Sequence, residues 1–127
     1  MTVALCQPVA AMSDCLDSVR GMLSGVDDTG IVQALWDMES LSRRTHAVML
    51  AVVADADSRG IAVGRGFAST QRLLAGMLQL SAADARTRVQ HATMIGTRRA
   101  ITGAVLEPRL PATAAALAAG QIGTGQL

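Results

Sequence analysis

Between Gly66 and Ile95 the chain reads GFASTQRLLAGMLQLSAADARTRVQHATMI, and the punctuation of this stretch leaves little choice of local structure. Ser69 and Thr70 supply a helix N-cap just before Arg72, and Leu74, Met77 and Leu78 then recur at helical spacing. Gln79-Leu80 breaks the pattern. Ser81-Ala82-Ala83-Asp84 is a capping box with Asp in place of the usual Glu: the Ser81 hydroxyl accepts the amide of residue 84, and the carboxylate reaches back. The second helix carries Ala85, Val89 and Ala92 on one face, and Asp84 stands four residues before Arg88 at ion-pair spacing. Two short helices joined by a three-residue turn predict a helix-turn-helix, whose second helix can enter a DNA major groove. Gln79 stands where the turn glycine belongs, and Val89 falls one residue late. The same outline serves plain helix packing, and spacing alone does not choose between the two.

A chain of 127 residues suits a single domain able to bury a core without disulfide staples. Half of it is apolar, yet it holds one Phe, one Trp and no Tyr. A core made from Ala, Val, Leu, Ile and Met suits close-packed helices, and the strand formers fall mostly inside helix-period runs. The expected fold is all-α: a helical bundle with a long central helix and the helix-turn-helix-like pair.

Taken in order, residues 1–12 read as a loose tail and 13–127 as one helical domain. MTVALCQPVAAM lacks a basic n-region and meets Pro8 early, so it makes a poor signal peptide. A first helix is expected from about Ser13 to Ser24, with Met12, Leu16, Val19, Leu23 and Val26 spaced four and three apart. Asp27-Asp28-Thr29-Gly30 reads as a loop that caps the next helix, since the further oxygen ligands of a calcium loop are missing. The longest helix is expected over Gly30–Ser58. There Ile31, Leu35, Met38, Ser42, Thr45, Met49, Val52 and Ala56 keep the same alternation beside a second stripe of Ala34, Leu41 and Val48. So wide an apolar arc suits a helix central to its domain or shared with a second copy. Gly60 ends it, and Ile61–Gly66 reads as a linker, having neither the preceding strand nor the GK[ST] of a phosphate loop. A short helical turn is expected over Thr97–Leu106, a loop at Glu107-Pro108-Arg109, and an Ala-rich helix from Leu110 to Ala119, with Pro111 in its first turn. Thr124 then offers an N-cap with only Gln126-Leu127 behind it, which suggests a truncated domain with a poorly anchored C-terminus.

Charge and chemistry narrow the function. The chain has no Lys and no Asn, so a Walker lysine and a Schiff base are excluded. Residues 1–60 set four arginines against eight carboxylates, a balance of −4; residues 61–127 set seven against two, a balance of +5. A basic half can present a polyanion-binding face, or the two halves can simply attract each other. Cys6 and Cys15 lack the CxxC spacing of a metal or redox pair. The longest apolar run, Ala47–Ala54, is far short of the ~20 residues a membrane span needs. A cytoplasmic protein with no cofactor, metal or small-molecule substrate is the expectation.

Gly66-Phe67-Ala68-Ser69-Thr70, then LLAGMLQLSAADARTRV, then LPATAAALAAGQIGTGQL resemble the 13E12 repeat family over about Ile31 to Leu127. The resemblance implies an N-terminal helical domain of unknown function of the kind that usually precedes an HNH endonuclease domain. An HNH site needs metal-binding His or Asp side chains, a His that activates water and an Asn that orients it. This chain lacks Asn, and His46 and His91 lie on different helices with no motif around either. No catalytic residue carries over, and no enzyme activity is expected.

The candidate nucleic-acid contacts follow from helical geometry. Opposite Ala85, Val89 and Ala92, the second helix of the pair carries Arg86, Thr87, Gln90 and His91. Arg and Gln can contact guanine and adenine edges, and Thr can touch a thymine methyl. Arg88 lies at the border, partly engaged by Asp84, as a phosphate contact, and Arg72, Arg98 and Arg99 flank as backbone anchors. A solvated arginine face is the plain alternative. Three roles therefore stand at this point: a DNA-binding module, a protein interaction or self-association module seamed on Ile31–Ala56, and a non-functional truncated copy.

Overall fold

The computed structural model describes residues 5–95, 98–99, 105–106, 111–120 and 122–123. The fold is all-α, and its contacts gather into two compact units, Met1–Asp37 and Met38–Leu127.

In the first unit, α1 runs over Cys6–Met22 and passes into a single 3-10 turn, Leu23–Gly25. The helix starts seven residues before Ser13, so residues 6–12 are helical rather than a tail. Pro8 does not prevent this, because it sits in the first turn, where its missing amide would have no intrahelical partner. None of the residues of α1 is buried. Asp27 then caps α2, its Oδ1 accepting the Gly30 amide at 2.8 Å.

Helix α2 spans Asp28–Ser58, 31 residues, or about 46 Å at the α-helical rise. Its buried residues are Leu50 and Val53, which belong to neither stripe expected to lead the packing. Thr45 and Val52 of one stripe and Leu41 and Val48 of the other are exposed. The segment Ala47–Ala54 is apolar nearly all round, so its periodicity offers several faces, and the neighbouring helices choose the one carrying Ala47, Leu50, Val53 and Ala54.

Gly60 closes α2 in the left-handed region at φ 65°. The expected linker contains one further helical turn, α3, Ile61–Gly64, which buries Ala62. Helices α4 (Thr70–Leu78) and α5 (Ala82–Ile95) follow. The core of the second unit joins Leu50 and Val53 of α2, Leu74 of α4, Ala85, Ala92 and Ile95 of α5, and Leu117 of α6 (Pro111–Ala118). Leu50, Ala85 and Leu117 have no solvent exposure at all.

Between α5 and α6 the backbone forms a minimal antiparallel ladder, β1 (Arg98–Arg99) against β2 (Val105–Leu106), with Arg98 opposite Leu106 and Arg99 opposite Val105. At 98–99 and 105–106 the ladder stands in place of the helical turn expected over Thr97–Leu106, the remainder of which lies outside the described residues. Val105 is β-branched and fits a pleated surface better than a helix. The Glu107-Pro108-Arg109 loop and the Thr124 cap lie outside the described residues.

Helix α6 is anchored at Leu117, contrary to the poor anchoring expected of the C-terminal helix; residues 121 and 124–127 lie outside the described residues. Leu117 is fully buried, Ile122 packs on the core, and Gly120 turns at φ 75° directly over α2. A Cβ at Gly120 would stand 2.7 Å from the Ser40 carbonyl oxygen and 2.8 Å from its Oγ, so the two backbones meet where only glycine fits.

Candidate nucleic-acid interface

The pair α4–α5 is built from its caps. The Ser69 Oγ accepts the Arg72 amide at 3.2 Å, and the Ser81 Oγ accepts the Asp84 amide at 3.0 Å. The second half of the capping box, a return bond from the Asp84 carboxylate, does not form among the described residues. Gln79 closes α4 in the left-handed conformation at φ 55°, ψ 40°, and is the one non-glycine residue with positive φ among those described. The turn therefore has the backbone that glycine normally supplies, held here by a residue that resists it.

Two contacts hold the pair in the unit. Thr70, 6% exposed, donates its hydroxyl to Asp57 Oδ1 near the end of α2 at 2.6 Å. Phe67 lies against Gly76 in the middle of α4, where an added Cβ would approach its ring to 2.8 Å.

On α5 the inward face is Ala85, Ala92 and Ile95, all buried, with half-buried Val89 packed against the core. Arg86, Thr87 and Gln90 are exposed together on the other side. The Thr87 hydroxyl donates to the Ala83 carbonyl at 3.0 Å. Arg72 is exposed on α4. His91 does not share the exposure of Arg86 and Gln90, because it is half-buried on the flank of the helix.

Arg88 also departs from expectation. Among the described residues it makes no ion pair with Asp84; the ion pairs that form are Arg43–Glu39 at 3.1 Å and Arg59–Asp55 at 2.7 Å, both along α2. Half-buried Arg88 instead lies, with His91, within electrostatic reach of His46 on α2. Partial burial lowers the His46 pKa below 6.5, and the positive charges of Arg88 and His91 lower it further. Sequence periodicity had no means of finding this basic trio, since His46 and Arg88 are 42 positions apart and meet only through tertiary packing. Arg98 and Arg99 sit on β1, not on the helix pair, and their side chains lie outside the described residues.

Among the described residues no three His, Cys, Asp or Glu side chains gather as a metal-binding group, and no helix is long and apolar enough to cross a membrane. The molecule thus falls in the class of all-α domains that expose one polar, arginine-bearing helix of a capped pair. More narrowly, the chain belongs to the family described as a domain of unknown function, DUF222, whose model matches residues 32–127. No curated protein and no solved structure matches it.

Proposed function

We propose that this chain is a nucleic-acid-binding helical module, of the kind the 13E12 resemblance places ahead of HNH endonuclease domains, and that it binds without cutting. The observation that carries the reading is the joint exposure of Arg86, Thr87 and Gln90 on a helix whose opposite face packs on the core. A left-handed turn at Gln79 links that helix to α4, and the short turn between two helices supports a helix-turn-helix reading. Arg86 and Gln90 are one turn apart and have the side chains that read guanine and adenine edges in a major groove. Arg72 and, from the ladder, Arg98 and Arg99 supply phosphate contacts in this reading. Arg88 and His91 act from the flank of the same helix in this reading. Binding rather than catalysis is proposed because HNH chemistry needs an Asn that the chain does not contain.

The test is DNA binding as a function of salt. Arg86→Ala should cost about 1–3 kcal/mol and relax sequence preference, as expected for lost base contacts. Arg98→Ala should weaken all sequences alike and reduce the salt slope by about one unit. Equal affinity of the wild type and an Arg86/Arg98/Arg99 triple alanine variant at low salt would overturn the proposal.

A further inference from the structure

We infer that α1 is a self-association helix whose occupant is α1 of a second copy of this chain. Leu5, Val9, Met12, Leu16, Val19 and Leu23 follow one another at intervals of four, three, four, three and four, a heptad seam nearly three repeats long. Every one of them is exposed, from 42% at Val19 to 63% at Leu5, and no residue of α1 is buried. The 3.5-residue repeat matters for the occupant. A helix that lies on a globular surface needs a broad 3.6-period face, whereas a strict seam of this kind is complementary to another helix lying along it.

No charge interrupts the seam: Asp14 and Asp17 project from the rest of the helix, and of the charged side chains in α1 only Arg20 adjoins the seam. At roughly 100 Å² still exposed per seam residue, pairing two copies buries about 1,200 Å² in total, the lower edge of specific interfaces. Met22, 66% exposed beside Leu23, adds to that area. The long helix is the weaker candidate for such a seam. Its corresponding alternation passes through Ser42 and Thr45, where polar groups would have to be desolvated.

The experiment is the molecular mass of the 127-residue chain in solution over a wide concentration range, by sedimentation or light scattering, for three proteins. The wild type should reach the mass of two chains. Leu16→Glu/Val19→Glu places two charges on the seam and should weaken association roughly a hundredfold or more. Because neither residue is buried, the thermal unfolding of the α2–α6 core should stay unchanged, which separates lost association from lost folding. Leu41→Glu/Val48→Glu, on the exposed side of α2, should still form the dimer. A wild type that stays monomeric at every concentration would overturn the inference, since α1 would then be covered by its own chain or left bare. Dimerisation that survives the α1 variant, or is abolished by the α2 variant alone, would overturn it equally.

Discussion

The hydroxyl of Thr70 donates to the Asp57 carboxylate at 2.6 Å, tying the first turn of α4 to the last turn of α2 across 13 residues. This bond sets where the helix pair begins relative to the helix it packs on. Thr70 is buried, whereas Asp57 is exposed and can turn to water. Thr70→Val keeps the shape and removes the donor, so it should cost about 1.5 kcal/mol, the low end for a hydrogen bond to a charged acceptor because the carboxylate is exposed. Asp57→Ala should cost more, because it leaves the buried hydroxyl without a partner. Urea unfolding of both single variants and the double variant checks this; additive losses would mean that the bond contributes nothing.

Phe67 and Gly76 pose a contest between two effects of known size. Replacing a mid-helix glycine with alanine ordinarily gains up to ~1 kcal/mol of helix propensity. Here the new Cβ would stand 2.8 Å from Phe67 Cε1, and forcing a methyl group into a filled space costs about 1–3 kcal/mol. Gly76→Ala should therefore be net destabilising. In a Phe67→Leu background the clash is removed and the same change should become neutral or stabilising. A stabilising Gly76→Ala in the wild-type background would show that the ring moves aside at little cost.

How far the structure was legible beforehand depends on how local its causes are. Ser69, Ser81 and Gly60 announce helix ends because caps act within one turn, and each does what its position predicts. The inward face of α5 was equally legible, since Ala85 and Ala92 alternate with polar residues and allow one orientation only. Leu50 and Val53 were not, because an apolar run such as Ala47–Ala54 leaves the choice of face to its neighbours. The early start of α1 is not legible because Leu5 at its N-cap offers no side-chain cap to announce it. For the candidate site the division is the same. Arg86, Thr87 and Gln90 followed from 100° steps along one helix, whereas the fate of Arg88 and His91 depended on His46, far away in sequence.

His46 makes stability depend on pH in a definite direction. Its pKa in the fold is lowered from 6.5 by partial burial, with Arg88 and His91 adding to the effect. The unfolded chain therefore takes up a proton near pH 6.5 that the folded chain resists. The contribution of His46 is fully present above 6.5 and is lost as pH falls from there through the lowered folded value. His46→Gln should flatten the stability profile in that window and leave it unchanged at pH 8. Guanidinium unfolding at a series of pH values measures both; an identical acid-side slope in the variant would assign the pH dependence elsewhere.

Gly120 should be the least replaceable glycine among those described. Alanine there would combine a left-handed backbone, costing about 1–2 kcal/mol, with contact to the Ser40 backbone at 2.7 Å. Backbone cannot swing aside as a side-chain tip can. Gly120→Ala should therefore lose about 2–4 kcal/mol, with amide exchange accelerated first in α6, whose Leu117 is the residue that fastens it to the core. Protection of α6 equal to that of α5 in the variant would contradict this account.

Gln79 gives the converse case, a position that glycine should improve. At φ 55° its side chain pays a conformational penalty that glycine avoids, of about 1 kcal/mol or more. Glycine gives back part of this by loosening the unfolded chain, so Gln79→Gly should gain about 0.5–1 kcal/mol. Gln79→Val should lose considerably more than that, because β-branched residues are the least tolerant of this conformation. The same pair of variants bears on function. Gln79 closes α4 in the left-handed turn that leads to α5; the glycine variant keeps that backbone conformation while the valine variant strains it. On the proposed function, DNA affinity should be retained in Gln79→Gly and reduced in Gln79→Val at temperatures where both remain folded. If the valine variant bound as well as wild type while measurably strained, the turn would be a packing feature alone, and the exposed face of α5 would not need α4 to position it.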